Sequence, residues 1–443
     1  MTGVRSAETV ILGGGLTGLA AAVSLDREGA KDFIVLEAES VPGGLARTSR
    51  LDGYEIDILP HVFFTRDPAM DAWFQELVPD HVTCTSRRGV LVSGRYCDYP
   101  FQLNVHALPL ELRIACLKDY FAAIRGARFR TRGAQAPRHF EDYLLGVFGR
   151  SMVETFFRPY NEKLWQVHLD DLDTDWVAWK IDSVDDLDMA YSFLGRPPGE
   201  SEGAFGPHAV FRYPRHGGIQ ALPDALAHRI GPERMALETT VLRVRPRERL
   251  VETDRGTWRY RRILWTLPRS LAWRVIGTSP DSSAGLRDTE VISIHLIAEK
   301  VALPDYHWIY VADPELEFFR ITRVDKINPA YQDGPAILIL EVSRRPESGR
   351  EPVDTVKERV LDALVHRGIL TSRAAVLRVR GFATRPAYVV HDLARQRHLR
   401  LLDRRFADLD IEVAGRFGEW TFLNMDMAMQ SGIEAAKRLL GRR

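Results

Sequence analysis

The chain has 443 residues, too many for one ordinary hydrophobic core, so two or more folded units are expected. Its 60 Lys and Arg balance its 60 Asp and Glu, and 45% of its residues are hydrophobic. That composition excludes a disordered chain and gives no whole-chain basis for binding nucleic acid or another polyanion. Cys84, Cys97 and Cys116 are an odd set with no metal-like spacing, so reduced thiols, no metal and a cytoplasmic location are expected.

The first elements come from ETVILGGGLTGLAAAVSLDREGAKDFIVLEAE. Val10 to Leu12 reads as a short apolar strand, Leu16 to Arg27 as a helix, and Phe33 to Leu36 as a second strand. Gly13, Gly15 and Gly18 occupy the G-x-G-x-x-G positions of a dinucleotide turn. Gly13 permits the tight turn, Gly15 lets backbone N–H groups approach a pyrophosphate, and Gly18 lets the helix pack closely. The helix N-terminus stabilises the anion. Glu37 closes the second strand, near the offset at which an acid binds a ribose. The apolar run is too glycine-rich, and too poor in preceding positive charge, for a signal peptide. No stretch approaches the ~20 apolar residues of a membrane span.

VPGGLARTS follows, with Gly43, Gly44 and Arg47 making a second glycine-rich, basic turn. YEIDILPHVFFTRDPAMDAWF then alternates as a strand and places His61 at its end, before a helix carrying Trp73 and Phe74. From about Met70 to Glu202 helical patterns dominate, as in LPLELRIACLKDYFAAIRG. GARFRTRGAQAPR reads as a solvated basic loop, and LGRPPGESEGAFGPH as a connection rich in Pro and Gly. Gly217 and Gly218 precede a helix over Ile219–Ile230. Three strands follow, in LETTVLRV, RLVETDRG and RRILWTLP. VISIHLIAEK, HWIYVAD, EFFRITRVD and AILILEVS alternate as antiparallel strands, and VDTVKERVLDALVHRGIL is a helix. Last, a strand over Ile411–Ala414 runs into Gly415-Arg416, a loop, and a helix from about Met425. AAKRLLGRR reads as the solvated, basic end of that helix.

The second glycine turn resembles the GGR segment of FAD enzymes in the amine-oxidase and protoporphyrinogen-oxidase group. This likeness, not the spacing, selects FAD over NAD. Four further segments narrow the resemblance to the UDP-galactopyranose mutases and their relatives: LPHVFFTRDPAMDAWF, YPFQLN, RPYNEKLW and GRFGEWTFLNMD. The fold it implies is α/β. A Rossmann-like FAD-binding domain with a parallel sheet would comprise residues 1–69, 205–270 and 386–443. It would carry an inserted helical region, 70–204, and an antiparallel-sheet substrate region, 271–385.

The resemblance also implies a reaction: interconversion of pyranose and furanose forms of a nucleotide sugar through a reduced-flavin N5–sugar adduct, with no net redox change. An external reductant such as NAD(P)H would serve it. By the same likeness Gly43, Gly44 and Arg47 border the cofactor, and His61 lies near the flavin. Gly415, Arg416, Asn424 and Met425 close over the ribityl chain and the pyrimidine. Val241 lies beside adenine, or is a plain core valine. Arg320 and Tyr388 hold the diphosphate, Tyr160 stacks on the base, and Trp165 lies on the same helical side. The sequence departs from that pattern where Trp179 and Lys180 replace a second arginine, and where Phe422 replaces a phosphate-binding tyrosine. DILPH also replaces a glycine-rich approach to His61. These departures thin the diphosphate clamp and leave a second activity class open, an FAD-dependent oxidase or dehydrogenase of the amine-oxidase type. Neither a nucleic-acid partner nor a transmembrane segment is expected.

Overall fold

The computed structural model describes residues 3–129, 137–176, 186–195, 210–277, 285–346 and 351–441. Its first sheet is built on β1 (Arg5–Leu12), which pairs in parallel with β2 (Phe33–Leu36) on one side and β3 (Gly256–Trp265) on the other. Met235–Ala236 extends the β2 edge, while Glu412–Val413 and the antiparallel ribbon Val241–Arg245/Leu250–Thr253 extend the β3 edge. The first strand is longer than its apolar run because Arg5 to Ala7 pair with Trp258 to Tyr260. Arg5 and Ser6 are exposed, so they carry no hydrophobic signal.

Helix α1 (Leu16–Arg27) is buried from Leu16 to Leu25. Burying side chains such as Leu19, Val23 and Leu25 is worth about 1.5–3 kcal/mol each. On its outer side lies the C-terminal helix, Met425–Gly441. The two backbones approach so closely that a Cβ on Gly432 would stand 2.1 Å from the Thr17 carbonyl oxygen. A Cβ on Gly18 would stand 2.0 Å from the carbonyl oxygen of Gly13.

The second sheet contains β4 (Asp288–Ala298), β5 (Trp308–Val311), β6 (Arg320–Arg323), β7 (Ala336–Arg344) and β8 (Val376–Val389). They run in the order β8-β4-β7-β6-β5, each antiparallel to its neighbour. The hairpin Arg88–Val92/Arg95–Asp98 joins this sheet parallel to β5. That hairpin belongs to the stretch expected to be helical. Around it, α2 (Leu110–Phe129), Phe140–Phe148 and α3 (Arg158–Trp165) enclose a core that includes Phe101, Cys116, Tyr120, Phe148 and Trp165. All three cysteines are free, and burial pushes the Cys97 and Cys116 thiols up to about 12.

Two histidines buried in or beside the second sheet make stability pH-dependent. Burial lowers His295 and His307 from 6.5 to about 4. His307 Nδ1 also accepts the Arg87 N–H at 2.9 Å, which requires that nitrogen to be unprotonated. Between pH 6.5 and 4 the unfolded chain therefore binds more protons, and stability falls as pH falls through that window, by about 2–3 kcal/mol per histidine. His307→Asn, which keeps an acceptor without a titrating ring, should flatten this slope in urea melts taken from pH 7 to 4.

Candidate active site

The glycine turns meet around the N-terminus of α1. Gly15 and Gly43 form a parallel bridge, and Gly43 N–H donates to the Gly14 carbonyl at 2.8 Å. Arg47 Nε donates to the Gly44 carbonyl at 2.7 Å and its Nη1 pairs with Glu39 at 2.9 Å, which fixes the second turn. Glu37 Oε2 accepts from Gly14 N–H at 2.7 Å and its Oε1 from Glu39 N–H at 2.9 Å. The Glu37 carboxylate thus lies directly beside the first turn. α1 has no side-chain cap and no acid in its own first turn.

Gly15 supplies the test of whether this cradle fits a dinucleotide. Its φ of −74° is open to any residue, and a Cβ there would meet only Gly44 Cα, at 3.9 Å. Nothing in the protein demands glycine at this position, whereas a pyrophosphate lying against the backbone does. The residues present fit the group. Gly415 closes the arrangement from the other side: a Cβ on it would stand 2.4 Å from Thr17 Oγ1, and its N–H donates to Ser431 Oγ at 2.8 Å. Asn424 and Met425 open the C-terminal helix, with the Asn424 carbonyl accepting from Ala428 N–H at 2.9 Å. Val241, half-buried at the sheet edge, packs on the same core as Ala236.

Beyond the glycine turns lies an aromatic, basic recess. Leu45, next to Gly44, packs on the same core as Tyr160, Tyr310, Tyr388 and Phe422. Arg320, at the start of β6, donates from Nη2 to Glu341 Oε1 at 2.7 Å and from Nε to Glu341 Oε2. Its Nη2 also reaches Tyr388 Oη at 3.4 Å. Glu341 has no exposed surface, and it lies opposite Arg320 in the β6–β7 register. The Arg416 guanidinium lies 4.4 Å from the Phe422 ring and 5.1 Å from the Tyr388 ring, which are themselves parallel at 6.5 Å. Arg416 Nη2 donates to the Ala387 carbonyl at 3.3 Å, while its buried Nε lacks a partner. Burial pulls this guanidinium down to about 10.

His61 Nδ1 donates to the Leu59 carbonyl at 2.8 Å, leaving Nε2 as an acceptor. Burial, reinforced by the charges of Arg416 and Arg320, lowers it to about 4, so the ring is neutral at neutral pH. Among these described residues, two arginines against Glu341 leave one net positive charge. Tyr160 stacks on Phe156 at 5.6 Å and meets Tyr310 edge-on at 5.6 Å; burial raises its hydroxyl and that of Tyr388.

Arg320, Tyr388, Tyr160, Arg416, Phe422 and His61 are therefore brought together. Trp165 is 3% exposed and meets Tyr388 edge-on at 5.9 Å, so it props that ring from behind. Lys180 and Trp179 lie outside the described residues. Glu341 and Tyr310 are members the sequence reading missed. The signal for Glu341 was present: it is the sole acid in the otherwise buried strand AILILEVS. A separate cleft of about 700 Å³, lined by Glu154, Arg158, Glu162 and Asp313 among others, has its two arginines already paired with carboxylates.

Residues 16–284 match the family described as flavin containing amine oxidoreductase. A structure of reduced UDP-galactopyranose mutase superposes with a TM-score of 0.91 at 24% identity, covering 99% of this chain and 94% of that one. A structure from Exiguobacterium sp. 255-15, provisionally assigned as a protoporphyrinogen oxidase, gives 0.75 at 18% identity and covers 100% of both chains. An uncharacterised protein from the nifH2 3′ region of Methanothermococcus thermolithotrophicus is 48% identical over 52 residues, 12% of this chain. The match spans about half the length of that relative, 49%.

Proposed function

Because the chain belongs to the family of flavin-containing amine oxidoreductases, we propose that it binds FAD and interconverts the pyranose and furanose forms of a nucleotide sugar, with no net redox change. The observation that carries this reading is the convergence of two arginines on Tyr388, Arg320 at its hydroxyl and Arg416 over its ring, beside a neutral histidine, in a recess adjoining the dinucleotide cradle. On this reading residues 1–69, 205–270 and 386–443 hold the cofactor, and 271–385 supply one wall of the substrate site.

Reduced FAD, when bound, supplies an electron-rich ring nitrogen able to act as a nucleophile. The chain's own residues do the rest. Arg320 and Arg416 hold the diphosphate and stabilise the charge that builds on it as the glycosidic bond breaks. Tyr388 adds a hydroxyl donor, and Glu341 fixes the plane of the Arg320 guanidinium. Tyr160 offers a ring face to the nucleobase. His61 accepts a hydrogen bond at Nε2 without adding positive charge to the flavin side.

The test is to reduce the purified holoprotein anaerobically, chemically or with NAD(P)H, and add a panel of nucleotide sugars. The expected result is an isomer of unchanged mass, formed by the reduced protein and not by the oxidised one. A second reading, an FAD-dependent oxidase or dehydrogenase, is favoured by the engagement of Arg320 with buried Glu341 and by Phe422, which offers no hydroxyl to a phosphate. Bleaching of the oxidised flavin by a substrate, with peroxide formed in air, would establish that reading in place of the first.

A further inference from the structure

Helix α2 (Leu110–Phe129) is amphipathic twice over. Its inner face buries Cys116 and Tyr120. At about 100° per residue, Leu110, Ile114 and Phe121 fall in an arc roughly 40° wide away from that face, while Leu117 and Ile124 at its border pack partly against the core. Leu110, Ile114 and Phe121 are 54%, 55% and 48% exposed. The neighbouring helix Asp186–Leu194, whose Phe193 ring lies 6.3 Å from Tyr120, exposes Leu187 and Leu194 as well. Single exposed leucines need no explanation; a stripe repeated along three turns does.

The charges beside the stripe identify what it meets. Arg113 flanks the arc on one edge, and Lys118 and Arg125 on the other. None of the three makes an ion pair or a side-chain hydrogen bond with a described residue. Asp119 is turned inward, accepting from Ser151 N–H at 2.9 Å and Ser151 Oγ at 2.6 Å. Of the helix's described side chains, Arg113, Lys118 and Arg125 stand against the exposed Glu111 and the inward-turned Asp119.

We propose that this face of α2 docks the protein on an anionic phospholipid bilayer. The apolar arc enters the boundary between headgroups and acyl chains, and the flanking cations pair with lipid phosphates. A second copy of the chain is a poorer occupant. A two-fold contact through this face would set Arg113, Lys118 and Arg125 against the same cations of the other copy.

The experiment is flotation of the holoprotein with vesicles of phosphatidylcholine containing phosphatidylglycerol, and with phosphatidylcholine alone. Binding is expected to the mixed vesicles at low salt, and to weaken at least roughly tenfold in high salt as the charges are screened. The double variant I114E/F121E should lose about tenfold or more in vesicle affinity. K118E/R125E should lose a similar factor on mixed vesicles only. Both variants alter exposed side chains, so their melting temperatures and flavin spectra should match the wild type. Failure of the wild type to float with mixed vesicles would overturn the proposal. So would undiminished binding by both variants. Self-association abolished by I114E/F121E, with no vesicle binding, would reassign the face to contact between copies.

Discussion

Arg320→Ala is expected to lower kcat/KM for the nucleotide sugar by at least about a hundredfold, and to destabilise the protein as well. The two effects have separate causes. On the proposed function, loss of the guanidinium removes one of the two cations that would hold the leaving diphosphate. It also strands Glu341, which has no exposed surface, as an unpaired buried carboxylate. Breaking such a pair from one side costs about 3–5 kcal/mol. The double variant R320M/E341Q removes both charges together. It should recover most of the stability, read by urea melts, and none of the activity. Arg320→Lys keeps the charge but cannot reproduce the two-pronged contact to Glu341, so it should fall between wild type and alanine. Should R320M/E341Q retain wild-type turnover, Arg320 has no part in the chemistry and its pairing with Glu341 is structural alone.

Gly15→Val should weaken cofactor binding about a hundredfold while leaving the fold intact. The backbone there has φ −74°, and a Cβ has clear space out to Gly44 Cα at 3.9 Å, so the backbone is unstrained and the first side-chain carbon meets no clash. Its branches fill the ground a pyrophosphate would occupy. The expected phenotype is a colourless protein with a cooperative melt, whose affinity for FAD is weaker by about a hundredfold, or roughly 2.7 kcal/mol. Gly18→Val is the contrasting change. Its Cβ would stand 2.0 Å from the Gly13 carbonyl oxygen, so it disrupts the protein with or without ligand. If G15V bound FAD as tightly as the wild type, the cradle would not be where the phosphates lie.

The parts of this molecule that are legible in sequence are those written in local spacing. α1 and β2 fall on the residues their apolar patterns define, because the turn between them is set by adjacent glycines. Elements whose existence depends on a distant partner were harder. The C-terminal strand was expected over four residues but pairs only through Glu412 and Val413, where Leu264 and Trp265 are available to it. The Arg88–Asp98 hairpin lies in helix-rich sequence and is a strand pair because β5 runs alongside it. In the recess, Arg320 and Tyr388 are 68 residues apart in the chain and touch across the second sheet. No periodicity reports that; the family resemblance suggested it. The resemblance did not disclose that Arg320 is already engaged by Glu341, so the charge open to a ligand is smaller than a count of arginines implies.

Gly415 rests on Thr17 at the head of α1, its N–H is held by Ser431, and Gly432 lets the last helix lie on α1 with almost no gap. The loop and helix that roof the glycine cradle thus come from a part of the chain far from it in sequence. A chain cut before Glu412 has the turn that would grip a pyrophosphate but lacks this roof. Removing the segment from Glu412 onward should therefore yield a polypeptide that cannot retain a flavin even where the N-terminal strands have formed.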